Sequence, residues 1–173
     1  MDFGVPLAYE IIPEFPLYLV SNRGEVVREM GGTPMVMSPT QYGDLTVGLM
    51  KDGRQYRRSV KTLVARAFVE GETELFDTPV LKDHNRANLH YKNIMWRPRW
   101  FAIAWTKQGA QFQNDVAKEW WFLGPVVDDM NGFVYSDFTA ASIETGQLAK
   151  DILQSHLNGT KVFPSGHTFS LVM

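Results

Sequence analysis

The feature of the sequence that most constrains its fold is the stretch Thr78–Trp96, TPVLKDHNRANLHYKNIMW. It begins with a short, mostly apolar run at 78–81, continues with a polar segment at 82–93, and closes with apolar residues at 94–96. Short apolar runs that flank a polar segment are typical of strands joined by a loop. The pattern therefore predicts a strand, a polar loop and a closing turn that fixes polar side chains in place.

Three parts of this stretch carry a family resemblance through their spacing. Asn93-Ile94-Met95-Trp96 closes the stretch, Asn88 lies five residues before Asn93, and Asp83 lies ten residues before it. In this ungapped frame the stretch resembles the HNH motif of phage-type homing endonucleases, which closes on Asn-Leu-x-Trp. The resemblance implies a nuclease fold whose chemistry needs a His general base and oxygen ligands for a divalent cation.

The same frame shows which catalytic residues of the family pattern are replaced. Val80 falls where the metal-binding Asp is expected, Leu81 at the general-base His, Leu89 at the second Asn, and Ala102 at the last metal ligand. Aliphatic side chains neither accept a proton nor bind a cation. The resemblance therefore implies a degenerate site, for which we expect no catalytic residue, no metal ligand and no cofactor.

A relocated active site is the alternative. Asp83 and His84 are adjacent, and His90 and Asn93 are nearby, so an active enzyme would use these four residues together with Mg²⁺. A shift of three residues moves the Asp-His pair from a strand end into a loop, where nothing fixes the distances among water, metal and phosphate. We favour the interpretation that His84 and His90 are polar loop residues.

Two hairpins and a helix are predicted before this stretch. Residues 18–27 reverse at Asn22-Arg23-Gly24, and residues 44–50 are followed by the turn 51–54, because Asn, Asp and Gly favour chain reversal. Val60–Phe68 has apolar residues at helical spacing, which predicts a short helix with one buried face. The order Ile-Pro-x-Phe-x-x-Tyr-x-Val-Ser-Asn-x-Gly-x-Val, then Leu-Val-Ala-x-Ala-Phe, resembles the module that precedes the HNH motif in these endonucleases.

Basic residues cluster at the end of this first module. Arg54, Arg57 and Arg58 are predicted phosphate contacts, because arginine on a two-stranded ribbon reaches backbone oxygens bidentately. The alternative is a solvated hairpin end, which runs of charge usually are. Lys61 stands in the region where the family usually has His.

The last part of the chain predicts a hairpin followed by two helices. Val126–Tyr135 turns at Asn131-Gly132, a first helix closes at Gly146, and a second helix covers Gln147–Leu157. This part resembles the modular DNA-binding domain at the C-terminus of such enzymes, which implies a helix-turn-helix. Its predicted nucleic-acid contacts are exposed polar residues, namely Gln147, Lys150, Gln154, Ser155 and Lys161.

The remaining residues of this region are assigned to packing or to a linker. Leu148, Ile152, Leu153 and Leu157 are predicted core residues, and so is the cluster Trp120-Trp121-Phe122, although aromatic side chains also stack on bases. Residues 106–124 are interpreted as a linker, helical or extended, that Gly109 interrupts and on which Lys107 is a further predicted contact. Several acidic residues near the second helix would repel a phosphate backbone.

Composition limits the remaining classes of function. The 173 residues include no cysteine, which excludes disulfides, Cys-based zinc sites and a thiol nucleophile. The formal net charge of −2 is low for a nucleic-acid binder, although a local basic face survives a neutral total. No signal-peptide pattern and no long apolar run is present, so we expect a cytoplasmic protein. The resemblance adds a phage-infected bacterial host.

Together these features predict a modular α+β protein that binds nucleic acid and has lost catalysis. The predicted parts are an N-terminal endonuclease-associated module (1–77), an HNH-like ββα motif (78–105), a linker (106–124) and a helix-turn-helix nucleic-acid-binding domain (125–173). One alternative is an active Mg²⁺-dependent site-specific DNA endonuclease or nickase. An alternative of another class is a repurposed binder of a ribosome, a structured RNA or a protein partner, and the sequence does not choose among these targets.

Overall fold

A computed structural model describes residues 4–114 and 118–173 of the chain. These residues form four α-helices and eleven short strands, and every strand pairing among them is antiparallel. The chain divides into two compact units, Met1–Ala102 and Ile103–Met173. The predicted α+β class is confirmed. None of the helices in the described residues combines the length and hydropathy required of a membrane span.

The first unit contains three small sheets, each built from strands that follow one another in the chain. Its elements are β1 (Tyr9–Ile12), β2 (Phe15–Ser21), β3 (Val26–Arg28), β4 (Met37–Pro39), β5 (Leu45–Lys51), β6 (Arg54–Ser59), α1 (Val60–Phe68), β7 (Thr78–Leu81) and β8 (Ile94–Arg97). The sheets are β1-β2-β3, β4-β5-β6 and β7-β8. Helix α2 (Arg99–Gln113) follows β8, so the order from Thr78 onward is strand, strand, helix, as the predicted ββα motif requires.

Both predicted hairpins of this unit are confirmed. Strands β2 and β3 pair across a reversal at residues 22–25. In the second hairpin Lys51 pairs with Arg54, which leaves Asp52 and Gly53 as a two-residue turn with φ of 49° and 72°. Two positive φ values define the turn whose twist matches that of the flanking strands, so the local sequence dictates the register of this hairpin.

Helix α1 has the predicted bounds, and Ser59 caps it. The Ser59 side chain accepts a hydrogen bond from the backbone N–H of Thr62, which satisfies one of the donors left open in a first helical turn. The buried face of α1 is formed by Val60, Leu63, Val64 and Ala65. Because these residues repeat at helical spacing, one side of α1 packs against the sheets and the other stays polar.

The core of the first unit holds the polar loop at both ends. Leu81, the last residue before the loop, and Trp96, just after it, both belong to this core. The Trp96 indole N–H donates to the Val69 carbonyl oxygen at 2.9 Å, which ties β8 to the residue that ends α1. The loop 82–93 therefore starts and ends at anchored positions, although most of its own residues are polar.

The second unit combines part of α2 with a hairpin, two helices and a final strand. Its other elements are β9 (Val126–Asp128), β10 (Val134–Tyr135), α3 (Phe138–Thr145), α4 (Ala149–Asn158) and β11 (Phe169–Leu171), with β9 in the centre of the sheet β10-β9-β11. Asp137 caps α3 by accepting from the backbone N–H of Ala140 at 2.8 Å. Gly146 ends α3 at a φ of 68°, a conformation that costs glycine little. The predicted hairpin and pair of helices are confirmed.

Three local predictions for this unit are wrong. Helix α4 begins at Ala149 rather than Gln147, because Leu148 is extended and forms the cap. Leu157 is 65% exposed, since it faces solvent in the last turn of α4 instead of packing. The interruption predicted at Gly109 is absent, because α2 continues through this buried residue, and residues 106–113 take the helical alternative of the predicted linker.

The aromatic cluster is only partly a core feature. Trp121 is buried and contacts Phe112 edge to face at 4.8 Å between ring centroids. Trp120 contacts Phe138 in the same way at 5.9 Å. These contacts confirm the packing role predicted for the two tryptophans. Phe122 is 60% exposed, so the prediction is wrong for that residue.

Candidate functional site

Asp83 is held inside the polar loop by three hydrogen bonds to its carboxylate. Its Oδ1 accepts from the Asn85 backbone N–H and from Asn93 Nδ2, both at 2.8 Å. Its Oδ2 accepts from Asn88 Nδ2, also at 2.8 Å. A second hydrogen bond joins the same two residues, in which the Asp83 backbone N–H donates to Asn93 Oδ1 at 3.2 Å. Asp83 therefore closes the loop on itself, and its orientation is fixed by neutral amide donors.

The other polar side chains of the loop also bond to neighbouring backbone. Asn88 Oδ1 accepts from the N–H of His90, and Asn85 Oδ1 accepts from the N–H of Ala87. His90 Nδ1 accepts from the Lys92 N–H at 3.2 Å and caps the short helical turn that follows. Side chains that bond two residues ahead build turns in place of regular structure. The resulting loop is folded by the same residues that a relocated active site would use.

His84 adopts a conformation that few side chains other than glycine adopt. Its φ is 59°, in the left-handed region, and its ring is partly buried. Burial lowers the pKa of His84 to about 4, and the neighbouring Asp83 carboxylate opposes this shift only in part. A general base is most effective when its pKa lies near the working pH. His84 is therefore neutral at pH 7 but poorly matched to proton abstraction.

The positions that the family pattern assigns to the base and the metal ligands are buried and apolar. Val80, Leu81 and Ala102 are 5%, 6% and 8% exposed. Across residues 4–114 and 118–173, no three His, Cys, Asp or Glu side chains lie close enough to hold a metal ion. Mg²⁺ prefers carboxylate and water oxygens in octahedral geometry, and both oxygens of Asp83 already bind amides. The residues present do not fit a divalent cation.

Replacing Asp83 with alanine is expected to lower the free energy of unfolding by about 2 kcal/mol in metal-free buffer, because three donors of the loop lose their acceptor. Urea unfolding measures the change. Glu74→Ala, which removes an exposed carboxylate outside the loop, is the control for charge and should leave stability within about 0.5 kcal/mol. Unchanged stability of Asp83→Ala would contradict the structural role.

The lowered pKa of His84 predicts a pH dependence of stability. Above pH 6.5 the ring is neutral in both states, and as the pH falls towards 4 the unfolded chain takes up the proton first. The wild type should therefore lose about 1–2 kcal/mol relative to His84→Asn between pH 6.5 and 4.5, allowing for the solvent access of the ring. Asn tolerates the left-handed conformation. Parallel stability curves for the two proteins would contradict the prediction.

The three arginines predicted to contact phosphate lie in different environments. Arg58 is partly buried, with its guanidinium 3.5 Å from the Glu14 carboxylate and 5.1 Å from the centroid of the Phe15 ring. It packs β6 against the first sheet. Arg54 and Arg57 are exposed on the same strand, and no ion pair holds either of them in the described residues. They are accessible to a phosphate backbone.

Two side chains of the second unit that were predicted to be exposed contacts are buried. Gln147 is 2% exposed, and its Oε1 accepts from Ser165 Oγ at 2.8 Å. Ser155 is 1% exposed, and its Oγ accepts from the Phe169 backbone N–H at 2.9 Å. Both side chains tie the helices to the C-terminal segment, so neither faces a nucleic acid. The other predicted contacts are exposed, namely Lys107, Lys150, Gln154 and Lys161.

Lys118 and Gln108 are residues that no sequence pattern singled out. They line a pocket of about 180 Å³ in the second unit together with Lys107, Gln111 and Lys150. The charge composition of this part of the sequence could have drawn attention to Lys118. Residues 103–173 contain four lysines and no arginine against seven acidic residues, a formal charge of −3, so each cation in this unit is informative.

The chain has an HNH-endonuclease-like fold. The solved structure of the HNH homing endonuclease I-HmuI, which concerns its DNA binding and cleavage, is similar, with 22% sequence identity and a TM-score of 0.52. The match covers 96% of this chain and 98% of that chain, which confirms the predicted HNH-like fold. No protein-family model matches the chain, and no curated relative matches it.

Proposed function

We propose that the chain is a nucleic-acid-binding protein of phage-type HNH homing endonuclease ancestry in which catalysis has been lost. The carrying observation is the burial of Val80, Leu81 and Ala102 at the positions of the base and metal ligands, within a fold that matches along nearly its whole length. In the loop that remains, Asp83 and Asn93 form hydrogen bonds with each other. Such a loop still presents a polar surface.

Binding is expected to depend on the exposed arginines of β6. Arg54→Gln/Arg57→Gln should weaken binding to DNA and lower the slope of log affinity against log salt by about 1–2, because each lost phosphate contact lowers it by about 0.9. Fluorescence anisotropy across a salt series measures both effects. Arg28→Gln, an exposed arginine on the first sheet, is the matched control and should leave the slope unchanged. Equal effects of the two sets would contradict a specific basic face.

Catalysis is tested directly by incubating the protein with bound DNA and Mg²⁺. We expect intact substrate after prolonged incubation at saturating protein concentration. The alternative of an active nickase requires cleavage that disappears with His84→Ala or Asp83→Ala while binding is retained. Cleavage that survives both changes would remove the relocated site and would also overturn the proposed loss of catalysis.

A second candidate of another class is a binder of structured RNA, a ribosome or a protein. The observation that favours it is the second unit, which has a formal charge of −3 and buries two of the side chains predicted to read bases. An interaction that does not weaken with salt would favour a protein partner, since phosphate contacts weaken steeply. Sequencing of nucleic acid crosslinked in the native cell distinguishes a DNA site from ribosomal or other structured RNA.

A further inference from the structure

A small pocket of the second unit brings together three of the four lysines of that unit. The pocket has a volume of about 180 Å³ and lies among α2, the segment that begins at Lys118, and the first turn of α4. Lys107, Lys118 and Lys150 line it, and each is exposed. Three of the unit's few positive charges therefore meet at one concave surface.

None of the described residues that line the pocket is acidic, although Asp151, next to Lys150 in the chain, interacts electrostatically with it. None of the three lysines forms an ion pair with any residue in the described parts of the chain. Concave walls of low dielectric constant focus the field of the charges that line them. The surrounding unit is acidic overall, so the convergence is not a consequence of general basicity. A bound anion would meet positive charges from three segments of the chain.

The wall of the pocket is rigid where it meets α4. Gln108 is 8% exposed, and its amide donates to Ser142 Oγ at 2.8 Å and accepts from the Ala149 N–H at 2.9 Å. This bridge fixes the first turn of α4 against α2. The start of α4 carries the positive end of a ten-residue helix dipole, and Asp151 is the acidic residue of its first turn that opposes it. The lysines outweigh that single negative charge.

One side of the pocket is aromatic. The Lys118 ammonium lies 6.0 Å from the ring centroids of both Trp120 and Trp121, and both tryptophans line the pocket. Trp120 is only partly buried, so part of its indole is open to a ligand. Aromatic walls beside cations are how proteins hold single nucleotides of a strand. Sites for whole small molecules usually measure about 300–1,000 Å³, so this pocket suits a smaller group.

We infer that this pocket binds one phosphate-bearing nucleotide unit of a nucleic-acid strand, with the phosphate among Lys107, Lys118 and Lys150 and the sugar or base edge against Trp120. The inference rests on the proposed function and assigns it a site within the second unit. Gln111 is partly buried and lines the pocket. Its side-chain amide forms no hydrogen bond with the described parts of the chain, so it can donate one to the ligand.

The first experiment titrates the full chain with inorganic phosphate, thymidine monophosphate and thymidine, followed by NMR. The phosphate-bearing probes should shift the Lys150 and Gln108 signals, the nucleotide should also shift the Trp120 indole signal, and thymidine alone should shift none of them. The double substitution Lys118→Gln/Lys150→Gln should weaken the binding of thymidine monophosphate at least five-fold. Arg28→Gln removes an exposed cation outside the pocket and should change affinity less than two-fold. Equal weakening by Arg28→Gln and by Lys118→Gln/Lys150→Gln would overturn the inference.

A second experiment measures binding of a short single strand and of a duplex to the same variants. Loss of one phosphate contact should lower the salt slope by about 0.7 for the single strand or about 0.9 for the duplex. If nucleic acid binds and the pocket variants match the wild type, the pocket inference fails and the proposed function stands. If thymidine monophosphate occupies the pocket but no strand binds, the proposed function and the assignment to a strand both fail, and the pocket is a site for free nucleotides.

Discussion

Replacing Gly24 with alanine is expected to lower the free energy of unfolding by about 3 kcal/mol, from two separate causes. Gly24 has a φ of 90°, a conformation that disfavours any residue with a Cβ. A Cβ built at this position would also lie 2.5 Å from Leu89 Cβ, inside the polar loop. Because Leu89 is 5% exposed and its Cβ is close to the backbone, rotation of its side chain does not remove the clash.

The substitution at Gly24 is expected to disturb the candidate site, because Gly24 lies where the first hairpin contacts the polar loop. The neighbouring Asn22 is 3% exposed, and its carbonyl accepts from the Tyr91 N–H at 2.9 Å. Displacing Leu89 strains the contact between Asn22 and Tyr91 and the loop that Asp83 closes. Urea unfolding gives the stability change, and amide exchange of residues 83–93 should rise in the variant.

Gly53→Ala is the matched control for the Gly24 variant. Gly53 also has a positive φ, 72°, but a Cβ there meets nothing within 4 Å. We expect it to cost about 1 kcal/mol, the backbone term alone. Equal losses for the two variants would show that the contact between the hairpin and the loop carries no energy.

Replacing Gln108 with alanine is expected to cost about 3 kcal/mol, because a buried amide with partners on two helices is removed. The change leaves the Ala149 N–H without its acceptor and removes the donor to Ser142 Oγ. Ser142 is fully buried and donates to the Gln147 carbonyl oxygen at 2.6 Å, so the joint between α3 and α4 loses support from α2. Thermal and urea unfolding both report the loss.

Gln154→Ala is the control for the Gln108 variant. Gln154 is exposed on α4 and bonds to no other side chain in the described residues, so its loss should change stability by less than about 0.5 kcal/mol. A Gln108 variant as stable as the Gln154 variant would show that the bridge is dispensable. It would also remove the rigid wall on which the nucleotide pocket depends.

Local sequence signals were sufficient where structure depends on neighbours in the chain. The Asp52-Gly53 turn and the bounds of α1 follow from turn chemistry and helical spacing. The replacements at Val80 and Leu81 are implied by the resemblance to the HNH motif, whose frame the stretch matches without a gap. The proposed loss of catalysis therefore begins with the sequence.

Contacts between segments that are distant in the chain could not be predicted from the local sequence. Gln147 and Ser155 are polar residues on or beside a helix, and such residues are usually exposed. They are buried because Ser165 and the Phe169 N–H, from a segment well along the chain, supply their hydrogen bonds. Nothing in the spacing of α4 encodes those partners.

The sequence by itself determined the fold class, the hairpins, the helices α1, α3 and α4, and the apolar character of the expected catalytic positions. Only the tertiary structure decided that Asp83 serves the loop, that Arg58 is committed to Glu14, and that three lysines from separate segments share one pocket. The physical reason is that periodicity and turn chemistry act over a few residues. Hydrogen bonds, ion pairs and charge focusing depend on distances in space, which the folded chain alone sets.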